Sequence, residues 1–210
     1  MKISMLLFEE MAAQDAVGPY EAFRCVPGWE IEFVGLSAGV VRCEGGGLGL
    51  CVDRTLGEVS EADVVLVPGG RGSDALLEDE TVLAWLREID ATTKWTISVC
   101  TGALLLGAAG LLQDKRATSN WLALDDLPKY GADPVGGRWV EDGKTVTAAG
   151  VTAGIDMALH LIDREVGPEV AQAVQLGIEY DPDPPFDSGS PEKAPAEIVE
   201  LVRSVSRATT

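Results

Sequence analysis

Trp95-Thr96-Ile97-Ser98-Val99-Cys100-Thr101-Gly102-Ala103-Leu104-Leu105-Leu106-Gly107 decides the fold. Its first five residues have the β-branched, apolar character of a strand buried on both faces. Leu104–Leu112 is small and apolar nearly all round, the pattern of a helix fully enclosed by protein. Between the two stand Cys100, Thr101 and Gly102, a strand-to-helix turn too short for a loop. A nucleophile on such a turn has its side chain exposed while the following backbone N–H groups face the same point.

The same logic repeats upstream. Ile3–Phe8 is an apolar run of strand length, and helical spacing follows over Val17–Cys25, with Pro19 expected in a first turn. Trp29–Leu36 alternates as a strand. Val40–Cys43 and Leu48–Val52 flank Glu44-Gly45-Gly46-Gly47 as a hairpin. Asp63–Val67 is continuous and β-branched, and ends on Pro68-Gly69-Gly70. Asp79–Ile89 spaces Val82, Leu83, Leu86 and Ile89 as an amphipathic helix.

Downstream, a more polar stretch holds Trp121–Leu127. Arg138–Glu141 and Lys144–Thr147 then flank an Asp142-Gly143 turn. Thr152–Val166 and Glu169–Leu176 read as helices. The proline-rich stretch 179–195 reads as extended, and a C-terminal helix follows at 196–207, amphipathic over Ile198–Val205. Short buried strands alternating with helices predict a mostly parallel sheet covered on both faces, a three-layer α/β/α sandwich in a single domain spanning 1–210. Ligands of such sheets lie beyond the carboxyl ends of the strands, which puts Gly69, Gly70 and Cys100 at one rim.

Composition narrows the function. The chain has 210 residues with 46% hydrophobic content, enough for a well-buried core. Its net charge of −18 arises from 34 acidic and 16 basic residues, which argues against nucleic acid and anionic membrane surfaces as partners. A soluble acidic surface and adaptation to high salt both account for that charge, and the six lysines fit the second as well. No apolar run reaches membrane-spanning length, and the N-terminus lacks the core and cleavage site of a signal peptide, so a cytoplasmic location is expected. The four cysteines, Cys25, Cys43, Cys51 and Cys100, form no Cys-x-x-Cys pair. They are expected to be reduced, three of them as small buried hydrophobes.

Cys100 is the exception by its position. The helix N-terminus behind it is expected to lower its thiol pKa, and the Gly69-Gly70 N–H groups are expected to form half of an oxyanion-type hole. The single histidine, His160, falls inside a helical run and reads as structural. Proton handling then falls to an acid. Asp15, immediately before the expected helix start, is the first candidate, and as an isolated residue it would be an N-cap. Glu21 is a second acid nearby. A carboxyl beside a thiol in a partly dry site has its pKa raised and can donate a proton.

Gln14-Asp15-Ala16-Val17-Gly18-Pro19, Val67-Pro68-Gly69-Gly70, Ser98-Val99-Cys100-Thr101-Gly102 and Arg116-Ala117-Thr118-Ser119-Asn120-Trp121 together resemble the ThiJ/PfpI superfamily, of class I glutamine-amidotransferase-like fold. An Asp at position 15, Gly150-Val151-Thr152-Ala153-Gly154-Ile155-Asp156 and Glu179–Pro191 are most similar to its isonitrile hydratase branch. The resemblance runs from Ile3 to about Val205. It implies a flavodoxin-like sandwich, usually a homodimer, that needs no cofactor and hydrates a small-molecule isonitrile to an N-substituted formamide, a hydro-lyase reaction. Cys100 would attack the terminal carbon, Asp15 would handle protons and position water, and Thr101 would offer its hydroxyl or N–H near the thiolate, with Gly70 opposite. Asn120 stands where members commonly carry His, which bears on substrate binding near Asn120 and Trp121. A glyoxalase- or deglycase-like action on 2-oxoaldehydes and a non-enzymatic redox sensor are the alternatives, and a protease is opposed by Thr101.

Overall fold

The structure, a computed structural model, describes residues 1–208. In chain order the elements are β1 (Lys2–Leu6), α1 (Ala13–Phe23), β2 (Glu30–Gly35), β3 (Gly39–Arg42), β4 (Gly49–Val52) and β5 (Arg54–Thr55). Then come β6 (Val64–Val67), α2 (Ser73–Leu76), α3 (Glu80–Asp90), β7 (Trp95–Val99), α4 (Gly102–Ala108), β8 (Arg116–Ala117) and β9 (Asp133–Pro134). The last are β10 (Trp139–Asp142), β11 (Thr145–Ala148), α5 (Ala153–Val166), α6 (Pro168–Gly177) and α7 (Ala196–Ala208). The main sheet runs β10-β11-β7-β6-β1-β2-β5, and every pairing is parallel except β10 with β11.

Central β6 shows why its sequence carries no polar alternation. Val64 and Leu66 pack into a core with Ile3, Met5, Ile97 and Leu161, whereas Val65 and Val67 pack into a second core with Leu86, Leu105 and Leu106. Helices α1 and α5 close the first face, and α3 and α4 close the second. The chain therefore has the expected mostly parallel sheet with flanking helices, a flavodoxin-like α/β sandwich. Met1–Ile178 forms one compact unit, and Glu179 opens a second. In that second unit α7 carries Ile198, Leu201, Val202 and Val205 exposed.

Three boundaries differ from the sequence reading. Helix α1 begins at Ala13, so Asp15 lies inside its first turn with its backbone N–H on the Ala12 carbonyl (3.0 Å). Asp15 is thus not the N-cap that its place in the sequence suggests. Pro19 consequently falls mid-helix, where it lacks an N–H to give the preceding turn. It packs so closely on α5 that a Cβ at Gly154 would sit 3.0 Å from its ring. Helix α4 starts at Gly102 and stops at Ala108, just before Gly110 turns left-handed (φ 81°). Short α2, β5, β8 and β9 had no periodic signal, being too brief to show one.

Parallel order fixes where the functional loops meet. Strands β11, β7, β6 and β1 are consecutive neighbours, so the segments leaving their carboxyl ends converge on one rim. These segments lead from β1 into α1, from β6 through Pro68–Gly72, from β7 through Cys100, and from β11 through Ala149–Thr152.

Candidate active site

Cys100 sits on a strained elbow. Its φ is +59°, a left-handed conformation that costs a non-glycine residue about 1–3 kcal/mol. Surrounding bonds impose it. The Cys100 N–H is shared between the carbonyls of Ala148 (3.1 Å) and Ala149 (3.0 Å), and the Ser119 hydroxyl donates to the Cys100 carbonyl (2.8 Å). Sequence showed the strand and the helix around this residue. The strain that aims the sulfur comes from β11 and from the Ser119 segment, which are distant in the chain.

Asp15 is completely buried (0% exposed) and reaches across to the Pro68–Gly70 turn, where its Oδ2 accepts the Gly69 N–H at 2.9 Å. Its Oδ1 is one of two buried side-chain atoms among the described residues that make no hydrogen bond. The Cys100 thiol lies beside this carboxyl and favours its charged form. Burial outweighs that and the Gly69 bond, and with help from the Glu44 charge it raises the Asp15 carboxyl from 3.8 to about 7.

The thiol is shifted the opposite way to the sequence expectation. Cys100 is only 7% exposed, and burial followed by the Asp15 charge pushes it from 9.0 up to about 12. Three donors work against this: the Thr101 and Val151 N–H groups and the side-chain amide of Asn120, all directed at the sulfur. They do not overcome desolvation, and α4 has only seven residues behind the turn to supply a dipole. The resting site therefore holds a neutral thiol beside an acid that titrates near neutrality, a coupled pair whose protons belong to both groups.

The glycine turn serves the acid and the elbow. Gly69 spends its N–H on Asp15, and Gly70 donates its own to the Thr101 hydroxyl at 3.0 Å. That hydroxyl also bonds Ser73 Oγ (3.0 Å), which donates to the Gly70 carbonyl (2.7 Å). Gly69 and Gly70 thus do not present the oxyanion-type hole expected from the sequence, and the Thr101 hydroxyl locks two turns together. Both glycines are required by close approach: a Cβ on Gly69 would fall 2.4 Å from Thr101 N, and one on Gly70, at φ +122°, 2.3 Å from Ala12 N.

The donor set that does face the sulfur includes Val151, which sequence reasoning passed over as a functional residue. Its N–H comes from the loop after β11, and only the adjacency of β11 to β7 brings it there. Asn120 is oriented by its own Oδ1, which accepts the Leu122 N–H (3.0 Å) and leaves the amide nitrogen for Cys100. Trp121, the next residue, is half-buried. His160 is remote from this chemistry in bonding terms: it stacks on Trp139 (3.8 Å between centroids) and pairs with Glu141 (2.6 Å). Glu21 pairs with Arg24 on the surface of α1 and does not join the site.

A flavodoxin-like sandwich with a cysteine elbow and a buried acid in the first turn of a neighbouring helix defines a class of cysteine-centred α/β proteins. Residues 1–164 match the DJ-1/PfpI family, and the chain belongs to it. It is similar to isonitrile hydratase of Pseudomonas putida, at 45% identity over 97% of this chain and 89% of that protein. A deglycase of Pyrococcus horikoshii is 27% identical over 70% of this chain and 89% of its own length. The fold superimposes on a ThiJ/PfpI family protein from Pseudomonas syringae with a TM-score of 0.95 at 37% identity, covering 99% of this chain and 86% of that one. Among the described residues no helix is long and apolar enough to cross a membrane.

Proposed function

We propose that the protein hydrates isonitriles to N-substituted formamides, with Cys100 as nucleophile and Asp15 as the proton-handling group. The observation that carries this reading is the buried Cys100–Asp15 pair, whose free carboxyl oxygen lies beside a neutral thiol with no imidazole. The likeness to isonitrile hydratase supports it at the level of the family.

An isonitrile suits such a pair because its terminal carbon accepts both a nucleophile and a proton. The Sγ–C bond forms as the thiol proton leaves through Asp15 and is delivered to the same carbon, giving a thioimidate, R–N=CH–S. The Thr101 and Val151 N–H groups and the Asn120 amide stabilise charge on sulfur while the proton is in transit. Asp15, which has given one proton to carbon and received the thiol proton in exchange, then protonates the thioimidate nitrogen and takes a proton from the water whose oxygen bonds to the carbon. Cleavage of the C–S bond then releases the formamide and restores the thiol. One isonitrile and one water are consumed, and no oxidant or reductant is required. The rod-like terminus of the substrate also suits a thiol that is 7% exposed.

Two other readings fit less well. The deglycase relative favours action on 2-oxoaldehydes, yet that chemistry would have to proceed here without a histidine at the site. Redox sensing calls for an accessible, low-pKa thiol, and Cys100 is buried and raised to about 12. Incubation with an aliphatic isonitrile, an aryl isonitrile and methylglyoxal in parallel separates them, with products followed by NMR. Stoichiometric formamide from at least one isonitrile is expected. Consumption of methylglyoxal alone would transfer the site to the deglycase reading.

A further inference from the structure

We infer that Glu44, in the β3–β4 hairpin loop, is a positioning residue for Asp15: it ties the hairpin to the approach to α1 and to the glycine turn that holds the acid, and brings a negative charge to those two segments. The inference rests on the Cys100–Asp15 pair proposed above and adds a residue outside the sequence motifs that point to it.

Glu44 is tied to both segments that build the acid's surroundings. Its backbone N–H donates to the Met11 carbonyl at 3.0 Å, on the approach to α1. Its Oε1 accepts the Arg71 N–H at 2.7 Å, two residues beyond the Gly69 N–H that holds Asp15. A third bond, from the Ala12 N–H to the Gly69 carbonyl (2.9 Å), completes a closed path through the hairpin, the α1 approach and the glycine turn. The hairpin is further fastened by the Arg42 N–H on Glu9 Oε2 (2.8 Å) and the Glu10 N–H on the Arg42 carbonyl (2.7 Å). The Glu44 carboxylate, although solvent-exposed, is thereby tied to the turn that grips Asp15.

The charges around Asp15 make Glu44 the one that matters. From the elbow it faces the Cys100 thiol, and from the glycine turn the Gly69 N–H, both of which favour the carboxylate form. On its own helix Glu21 is neutralised by Arg24, and on α5, packed against α1, Asp156 is paired with Arg138. Glu9 is engaged with the Arg42 N–H, and the Arg71 side chain is exposed. The Glu44 carboxylate is the charged side chain that opposes ionisation of Asp15. Without it, burial alone would have to keep the proton that the reaction delivers.

Glu44→Gln separates charge from position, because its amide oxygen can still accept the Arg71 N–H. The readout is the pH dependence of Cys100 alkylation by iodoacetamide, followed on the Cys100 peptide by mass spectrometry, which needs no isonitrile. In the wild type, reactivity is expected to rise through a midpoint near 7 as Asp15 ionises. In Glu44→Gln the midpoint moves toward acid by about half a pH unit at low ionic strength, and the difference shrinks at about 1 M salt, where the screening length is only ~3 Å. Glu44→Asp, which keeps the charge, returns the midpoint toward the wild-type value. Coincident wild-type and Glu44→Gln midpoints would overturn the inference. Absence of formamide formation with the midpoint shift intact would instead overturn the isonitrile reading and leave this one standing.

Discussion

Cys100→Ala is expected to reduce kcat for formamide formation by a factor on the order of 10⁴ or more while the fold survives. The chemistry leaves no substitute nucleophile. Cys43 is buried, with its thiol pushed up by burial and then by the charges of Glu9 and Glu44. Cys25, two residues beyond the end of α1, donates to the Glu21 carbonyl at 3.3 Å, and Cys51 lies on the hairpin. Loss of the sulfur at Cys100 costs little packing, because the elbow is held by backbone bonds to Ala148 and Ala149 and by Ser119, none of which involves the side chain. Cys100→Ser is the sharper form of the test. It preserves size and a hydroxyl proton, yet an alcohol is far less acidic than a thiol and Asp15 cannot draw its proton away. Formamide measured by NMR, beside thermal melts of all three proteins, decides the matter. Wild-type turnover in either variant would remove Cys100 from the reaction.

The fold was legible because its strongest signals are local. Val64–Val67 and Trp95–Val99 are apolar at every position, and only a sheet covered on both faces accommodates such runs. The amphipathic run over Asp79–Ile89 forms a helix, with Asp79 as its N-cap accepting the Thr81 and Val82 N–H groups. The hairpin glycines take the expected left-handed turn, with Gly45 at φ +77° and Gly46 at φ +71°. Cys100 and Asp15 stood out from their places along the chain, whereas Asn120 entered only through the family resemblance; the structure brings the three side chains together.

What stayed hidden depends on strand order and on desolvation, neither of which is written in any short window. Val151 faces Cys100 because β11 inserts beside β7, although some fifty residues separate the two segments. Glu44 looked like part of a turn and is instead bonded to two other loops. The Gly69 and Gly70 N–H groups were expected to be vacant, but the Asp15 carboxylate and the Thr101 hydroxyl take them first. The direction of the thiol shift was misjudged for a related reason. A helix N-terminus is visible in sequence, whereas the exclusion of water that outweighs it emerges only when both layers of helices close over the rim.

Asp15→Asn trades activity for stability, and the trade depends on pH with a definite sign. Asn keeps an oxygen for the Gly69 N–H but can neither take the thiol proton nor give it back, so turnover falls by roughly 10²–10⁴-fold. In the wild type the native carboxyl titrates at about 7 against an ordinary value of 3.8. Between those values the native state binds a proton that the unfolded state has released, so stability falls as pH rises through this window. Above it, the folded protein carries a buried charge with one oxygen unbonded. The variant carries no such charge. It should match the wild type near pH 4 and exceed it at pH 8 by about 2–4 kcal/mol, equivalent to a Tm increase of roughly 5–10 °C. Because every other acidic residue is common to both proteins, the difference between their melting curves across pH isolates Asp15 from the general repulsion within a chain of net charge −18. A gain that is independent of pH would assign the effect to packing, and no gain at pH 8 would mean that Asp15 is not held above its ordinary range. A gain that grows from pH 4 to pH 8 while turnover collapses would show that the fold bears the cost of burying this acid because the reaction needs its proton near neutrality.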